Sequence, residues 1–288
     1  MSRLIALVSM MGLACSVAYG QPGGQSGGQP ATPPAPAAPT APAQPEAPQP
    51  LKVPDGPVVN RQELAGGLVI EDIVIGDGFE VKPGTIVVAH YHGTLKSNGN
   101  EFDSSFKRGE PAAFPLNGVI PGWTQGIPGM KVGGVRRLII PAALAYGERS
   151  PSAEIPPNSD LVFVVQMVDT MFVEDLQEGS GEAASGSFVP VTTHMCKDKE
   201  GKEVAAAEAE QPYVWLPGEM NAPGTQFDTM QIALDGMKVG GKRKIYIPAQ
   251  INNSPPTLEV KRPKNVPLTY EIDLVAVRNL PGRGNPRR

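Results

Sequence analysis

Short runs of apolar and β-branched residues, closed off by glycine or proline, recur along the middle of the chain. "LVIEDIVIG" (Leu68–Gly76), "TIVVAHY" (Thr85–Tyr91), "RRLIIPA" (Arg136–Ala142) and "DLVFVVQMVDT" (Asp160–Thr170) have the composition and punctuation of strands. Between the second and third runs, "VIPGWTQGIPGM" has room for one short helix. Pro121 suits its first turn, where no backbone N–H is needed, and Pro128 ends it. Several strands around one short helix predict an α+β domain that begins near Pro57 and runs for about 110 residues, an ordinary size for a single core.

The same order then returns. "EDIVIGDG" is echoed by "EDLQEGSG" (Glu174–Gly181), and "GTIVVAHYHGTLKSNG" by "GSFVPVTTHMCKDKEG" (Gly186–Gly201). "GMKVGGVRRLIIPA" is echoed by "GMKVGGKRKIYIPA", and "NSDLVFVVQMV" by "NVPLTYEIDLV" (Asn265–Val275). Collinear matches over a domain length mean duplication, and a unit of this size is too long for a solenoid. The expectation is two similar domains in tandem, at residues 58–172 and 173–280.

Composition changes the picture only at the ends. Residues 1–20 carry Arg3, then an apolar run too short to span a bilayer, then "AYG", a small-residue cleavage pattern: a secretory signal. The rival reading is a lipoprotein signal with Cys15 as the lipidated residue; Gly12 stands where that signal favours leucine. Either way the protein is expected to be exported, to the periplasm or envelope of a bacterium, with membrane contact only if Cys15 is lipidated. Residues 21–57 are rich in proline, glycine and alanine and read as a disordered tether. Residues 281–288, "NLPGRGNPRR" less its first two positions, read as a basic disordered tail. A net charge of −4 gives no sign of nucleic-acid binding, and two cysteines, Cys15 and Cys196, leave no disulfide framework.

Searches for a catalytic nucleophile elbow, a zinc-protease helix, a phosphate-binding loop or a redox cysteine pair find nothing. His90 and His92 flank Tyr91 on one strand face, without further ligands for a metal. What stands out instead is an ordered series: "AHYHGTL", "FDSS", "FPLNGVIPGW", "LAYGE" and "IPPNSDLVF". Over about residues 60–170 this series resembles the FKBP-type peptidyl-prolyl cis-trans isomerases. The resemblance implies a twisted antiparallel sheet wrapped around one short helix, with an apolar cavity between them. It implies Trp123 as the cavity floor, and Tyr91, Phe102, Val119, Ile120, Ile155 and Phe163 as its walls. Asp103 and Tyr146 would supply polar contacts near the rim, and the Ile120 N–H would donate to a substrate carbonyl. The implied partners are proline-containing unfolded or peptide substrates, and macrolide inhibitors of the same pocket; no cofactor or metal is implied. Ala112 stands where relatives often place a second aromatic, and Pro151 and Glu154 where many carry other residues. Taken singly, Trp123, Phe102 and Phe163 are ordinary core candidates; their joint order carries the functional reading.

The second repeat serves as an internal control. Counting by local offset, Tyr91 corresponds to Thr193, Phe102 to Val204, Asp103 to Ala205, Trp123 to Met230 and Tyr146 to Asn253, and only Phe163 stays aromatic, as Tyr270. The expectation is a second domain that keeps the fold and lacks isomerase activity. The alternative class is a non-enzymatic chaperone or binding scaffold that uses both domains.

Overall fold

The computed structural model of the chain describes residues 51–216, 228–252 and 265–280. The signal, most of the tether and the basic tail expected from the sequence lie outside these residues. The first repeat supplies β1 (Asn60–Glu63), β2 (Val69–Val74), β3 (Ile86–Leu95), β4 (Glu101–Ser104), β5 (Ala112–Pro115), β6 (Val135–Ile140) and β7 (Leu161–Thr170). They form one antiparallel sheet in the order β1-β2-β6-β7-β3-β4, with β5 also paired to β3. Two short helices accompany it, α1 (Ser105–Arg108) and α2 (Pro121–Gly126).

The second repeat supplies β8 (Phe172–Gln177), β9 (Phe188–Lys197), β10 (Glu203–Ala207), β11 (Tyr213–Val214), β12 (Lys242–Ile247) and β13 (Leu268–Asn279), with α3 (Thr229–Leu234). Its sheet runs β10-β9-β13-β12-β8, with β11 also on β9. Matched strand for strand, this is the order β4-β3-β7-β6-β2 of the first sheet. The twofold α+β architecture expected from the sequence is therefore present, with one single-turn helix, α1, beyond expectation.

The "GMKVGG" turn recurs for a backbone reason. Gly133 and Gly240 hold φ of +86° and +83°, a region that favours glycine. Beside them Gly76 and Gly179 lie so close to the turn that an added Cβ would sit 2.3 Å from the carbonyl oxygen of Val132 and Lys238, respectively. The hexapeptide thus fixes a close backbone crossing in each repeat.

Helices α2 and α3 each hang on one arginine. Arg136 on β6 donates from Nε to Asp72 on β2 (2.6 Å) and from Nη1 to the carbonyls of Gly126 (2.7 Å) and Pro128 (3.3 Å). It neutralises the negative, unpaired C-terminal end of α2. Arg243 repeats the arrangement with Asp175 (2.6 Å) and the carbonyls of Ala233 and Asp235 at the end of α3 (2.8 and 3.2 Å).

Residues 51–57, assigned above to the tether, are part of the folded unit. The Leu51 N–H donates to the Phe106 carbonyl (2.8 Å), Val53 packs on Ile73, Val135 and Val164, and Asp55 pairs with Arg137 (3.2 Å). Val53 gives this stretch an apolar anchor that the proline-rich segment before it lacks.

The two repeats are docked rather than strung apart. Ile86 and Val88 face outward from the first sheet, yet both are fully buried within one cluster that includes Met171, Phe188, Trp215 and Tyr270. Met171 donates to the Ile86 carbonyl (2.9 Å), and Thr85 Oγ1 donates to the Met171 carbonyl (2.7 Å). Phe79 stacks on Phe172 at 5.1 Å, and Tyr246 donates to Asp169 (3.0 Å).

The two arginine pairs differ in environment. Asp72 and Arg136 have side chains only 7% exposed, whereas the Asp175 side chain is 58% exposed. Removing one partner of a buried pair strands the other, at about 3–5 kcal/mol; an exposed partner contributes about 0–1 kcal/mol. Asp72→Ala is expected to lower the denaturant midpoint of the full chain far more than Asp175→Ala. Equal shifts in urea unfolding would contradict this account.

Candidate active site

The first repeat holds a cavity of about 780 Å³ between its sheet and α2. All nine residues expected from the resemblance line it: Tyr91, Phe102, Asp103, Val119, Ile120, Trp123, Tyr146, Ile155 and Phe163. Phe114, Gly118, Pro151, Ser152 and Glu154 complete the lining.

Local structure explains how these side chains converge. On β3, Tyr91 points inward with Val87 and Ala89, and across β7 it faces Val165. Pro121 opens α2 and Ile120 is its N-terminal cap, so Trp123 falls on the first turn, 4% exposed beneath the cavity. Its indole sits edge-on to three rings: Phe114 at 5.2 Å, Phe163 at 5.4 Å and Tyr91 at 6.0 Å. Phe102 packs edge-on against Phe163 at 5.5 Å. Edge-to-face aromatic pairs each contribute about 0.5–1.5 kcal/mol beyond burial, so the walls hold their shape empty. Among the described residues the buried Trp123 Nε1–H has no acceptor. An unpaired buried donor costs about 1–3 kcal/mol.

Gly93 makes the upper wall possible. A Cβ there would lie 2.6 Å from the Phe102 ring and 2.9 Å from the Phe163 ring. Only a bare backbone lets both rings lie over β3. Sequence reasoning missed this residue, and the signal available was a glycine inside a β-branched strand, which marks a close approach.

The polar rim is a closed circuit. Tyr91 donates its hydroxyl to Asp103 Oδ2. Arg108 on α1 donates to Asp103 Oδ1 (2.6 Å) and to the Tyr91 hydroxyl oxygen (2.7 Å). Burial, then the hydrogen bond to Asp103, pushes the Tyr91 phenol up to about 12, so it stays neutral. Burial pushes the Asp103 carboxyl upward, but the hydrogen bonds from Tyr91 and Arg108 outweigh it, and the net shift is downward. Burial and the Asp103 charge raise the Tyr146 phenol. Arg108 was not anticipated; its place five residues after Asp103, in the turn beyond β4, was the available clue.

His90 and His92 do not converge on a common ligand. Buried His90 stacks on Phe106 at 5.0 Å with Nδ1 3.2 Å from Ser105 Oγ, and burial lowers its imidazole. His92 lies 3.2 Å from Glu101.

On the matching face of the second repeat the described residues pack on one another, and they include residues outside the offset count. Strand register places Cys196 opposite Tyr270 and His194 opposite Ile272, as Gly93 lies opposite Phe163 and Tyr91 opposite Val165. The counterpart of Tyr91 is therefore His194, not Thr193: β9 is shifted by one residue, which reverses which side chains point inward. Nor is Tyr270 the only aromatic left. Trp215 follows β11 where Phe114 lies on β5, and it is 2% exposed. It packs against Tyr213 (4.8 Å), His194 (5.3 Å) and Tyr270 (6.0 Å) and donates to Thr192 Oγ1 (2.9 Å). Val204 and Ala205 stand on β10 as expected, and Met230 is buried on α3. Asn253, the expected counterpart of Tyr146, lies outside the described residues.

Comparison with known proteins follows the same division. The family model described as FKBP-type peptidyl-prolyl cis-trans isomerase matches twice, over residues 78–168 and 179–275. The chain is 48% identical over 101 residues to the probable FK506-binding protein of Corynebacterium glutamicum, covering 35% of this chain and 85% of that one. It is 50% identical over 103 residues to the FKBP-type peptidyl-prolyl cis-trans isomerase FkpA of Escherichia coli, covering 36% of this chain and 37% of that one. The crystal structure of FkpA from Escherichia coli matches at 46% identity and a TM-score of 0.36, covering 38% of this chain and 51% of that one. With both repeats matched over more than half of its length, the chain belongs to the FKBP-type peptidyl-prolyl cis-trans isomerase family.

Proposed function

We propose that the first repeat catalyses cis-trans isomerisation of X–Pro peptide bonds in exported polypeptides, using the cavity floored by Trp123. The observation that carries the reading is the aromatic box of Tyr91, Phe102, Phe114, Trp123 and Phe163, open to solvent and rimmed by Asp103 and Tyr146.

The chemistry asks for little else. Amide resonance keeps the prolyl bond planar behind a barrier of about 18–20 kcal/mol, and unaided rotation takes roughly tens to hundreds of seconds. In the twisted transition state that resonance is broken and the carbonyl loses part of its dipole. Removing it from water then costs less than removing the planar amide. An apolar cavity therefore binds the twisted form better, which is the condition for lowering the barrier. The Ile120 N–H and the Tyr146 hydroxyl act as donors to the substrate backbone. The Tyr91–Asp103–Arg108 circuit fixes the wall and keeps a single ionisation state.

In the second repeat Trp215 and Tyr270 take the places of the wall rings Phe114 and Phe163, while Met230 stands in place of the Trp123 floor, which supports a role other than catalysis. It covers Ile86 and Val88, apolar residues that the first repeat alone would expose to water. Export is supported by residues 1–20, and no helix of the described residues is long and apolar enough to cross a membrane.

A protease-coupled prolyl-peptide assay on the full chain tests the activity. Trp123→Ala is expected to abolish most of the acceleration, and Tyr146→Phe to lower kcat/KM roughly 2- to 10-fold, the worth of one neutral hydrogen bond. Full residual activity in Trp123→Ala, with the fold intact by circular dichroism, would place catalysis in the second repeat. The same assay across pH tests the rim. Asp103 is ionised above its lowered pKa and Tyr91 is neutral below about 12, so kcat/KM on an uncharged peptide should be flat from about pH 5 to 9. The stabilisation Asp103 provides is complete above the ordinary aspartate range and lost only as pH falls through its lowered value. A bell-shaped profile centred near neutrality would rule the circuit out as described. Export is checked by mass spectrometry of the mature chain: cleavage after Gly20 gives an unmodified N-terminus at Gln21, whereas a diacylglyceryl adduct on Cys15 marks a lipoprotein.

A further inference from the structure

Two carboxylates line the cavity, Asp103 and Glu154, and no basic side chain does. They are not equivalent. Asp103 is neutralised by Arg108 at 2.6 Å. Glu154 lies in the loop between Tyr146 and Ile155, exposed at the cavity mouth. Among the described residues it forms no ion pair. Hydrogen bonding from Ser152, then from its own backbone, lowers its carboxyl, so it is charged at neutral pH. The loop's own cation, Arg149, does not line the cavity. The mouth of an otherwise apolar site thus carries one uncompensated negative charge, on a loop whose Pro151, Ser152 and Ile155 also line the cavity.

We propose that Glu154 is a specificity-determining residue, which makes the site prefer prolines that have a lysine or arginine within two positions and disfavour those flanked by aspartate or glutamate. The inference rests on the isomerase reading of the same cavity and names its substrate class. The geometry is suited to it. A proline ring seated over Trp123 leaves its chain neighbours at the mouth, because the ring itself fills the aromatic box. Extended residues advance about 3.3 Å each, so positions within two of the proline stay within about 7 Å of the ring, beside the cavity mouth that Glu154 lines, and screening acts over about 8 Å at physiological salt. An exposed pair of this kind is weak, and about 1.5- to 5-fold in kcat/KM is the expected gain from one cation. Repulsion of an acidic neighbour has similar size and opposite sign. The effect changes partner choice more than absolute rate, which is what a rim charge does at other interfaces.

The test uses the full chain and three tetrapeptide series, identical except for a lysine, glutamine or glutamate placed one or two positions from proline. The readout is the ratio of kcat/KM for lysine over glutamate peptides, so any general effect of a substitution on the pocket cancels. The wild-type ratio is expected at roughly 3- to 10-fold in about 50 mM salt, falling towards one in 1 M salt. Glu154→Gln should bring the ratio near one, and Glu154→Lys should invert it. A wild-type ratio of one, or a ratio unchanged in Glu154→Gln, overturns the proposal while the isomerase reading stands. Acceleration of none of the three series overturns both.

Discussion

A single buried arginine in each repeat decides where the helix goes, and the site depends on that placement. Helices of six residues are too short to be stable by their own hydrogen bonds. Their C-terminal carbonyls point at the sheet and would be buried without donors. Arg136 and Arg243 supply the donors and are held in turn by Asp72 and Asp175. In the first repeat this anchors α2 at its end, so Trp123 on its first turn faces the sheet at a fixed depth. The three rings around the indole then have a fixed partner to pack on. Geometry at the floor is thus set by an ion pair that never touches the cavity.

The polar rim follows a similar logic at smaller scale. Tyr91, Asp103 and Arg108 satisfy one another, and their shifts all favour the same ionisation states over the neutral pH range. A wall that does not titrate near neutrality suits a reaction that moves no proton. It also leaves the charge of the mouth to Glu154 alone.

Much of this could be read from the sequence, and the failures have physical causes. Strand runs, glycine-bounded turns and the duplication follow from period and punctuation, and the strand orders agree between repeats because the collinear matches fall within strands. Nine of the fourteen residues that line the cavity were reached through the ordered motifs, since side chains tied to a motif travel with it. The arginine pairs were missed although the repeat contains the signal: Asp72 and Asp175, and Arg136 and Arg243, occupy matching strand positions. A buried charge looks like a surface charge until its partner is known. The β9 register was misread because a one-residue shift leaves composition almost unchanged while it exchanges the two faces of the strand. Residues 51–57 were given to the tether because Pro54, Gly56 and Pro57 continue the composition of the segment before them, and the packing of Val53 depends on Ile73, Val135 and Val164, far away in sequence.

The two repeats show what an open pocket requires on this scaffold. The sheet order, the glycine turn and the arginine anchor are common to both, so none of them opens a cavity. The difference lies in how side-chain volume is distributed. In the first repeat the bulk is at the floor, in Trp123, and along the walls, in Phe102 and Phe163, with Gly93 bare between them. In the second, Met230 replaces the tryptophan, Cys196 takes the place of the glycine and Val204 the place of the outer phenylalanine. Bulk lost at floor and wall is regained at Trp215, which follows β11 in the place of Phe114 and packs on His194 and Tyr270. Cores are filled to nearly constant density, so bulk lost at Met230 goes with bulk gained at Trp215, in the wall position of Phe114. The missing tryptophan after Asp228 and the extra one at Trp215 are therefore parts of one repacking. The repacked repeat also covers the first one's outer face, where Ile86 and Val88 are buried.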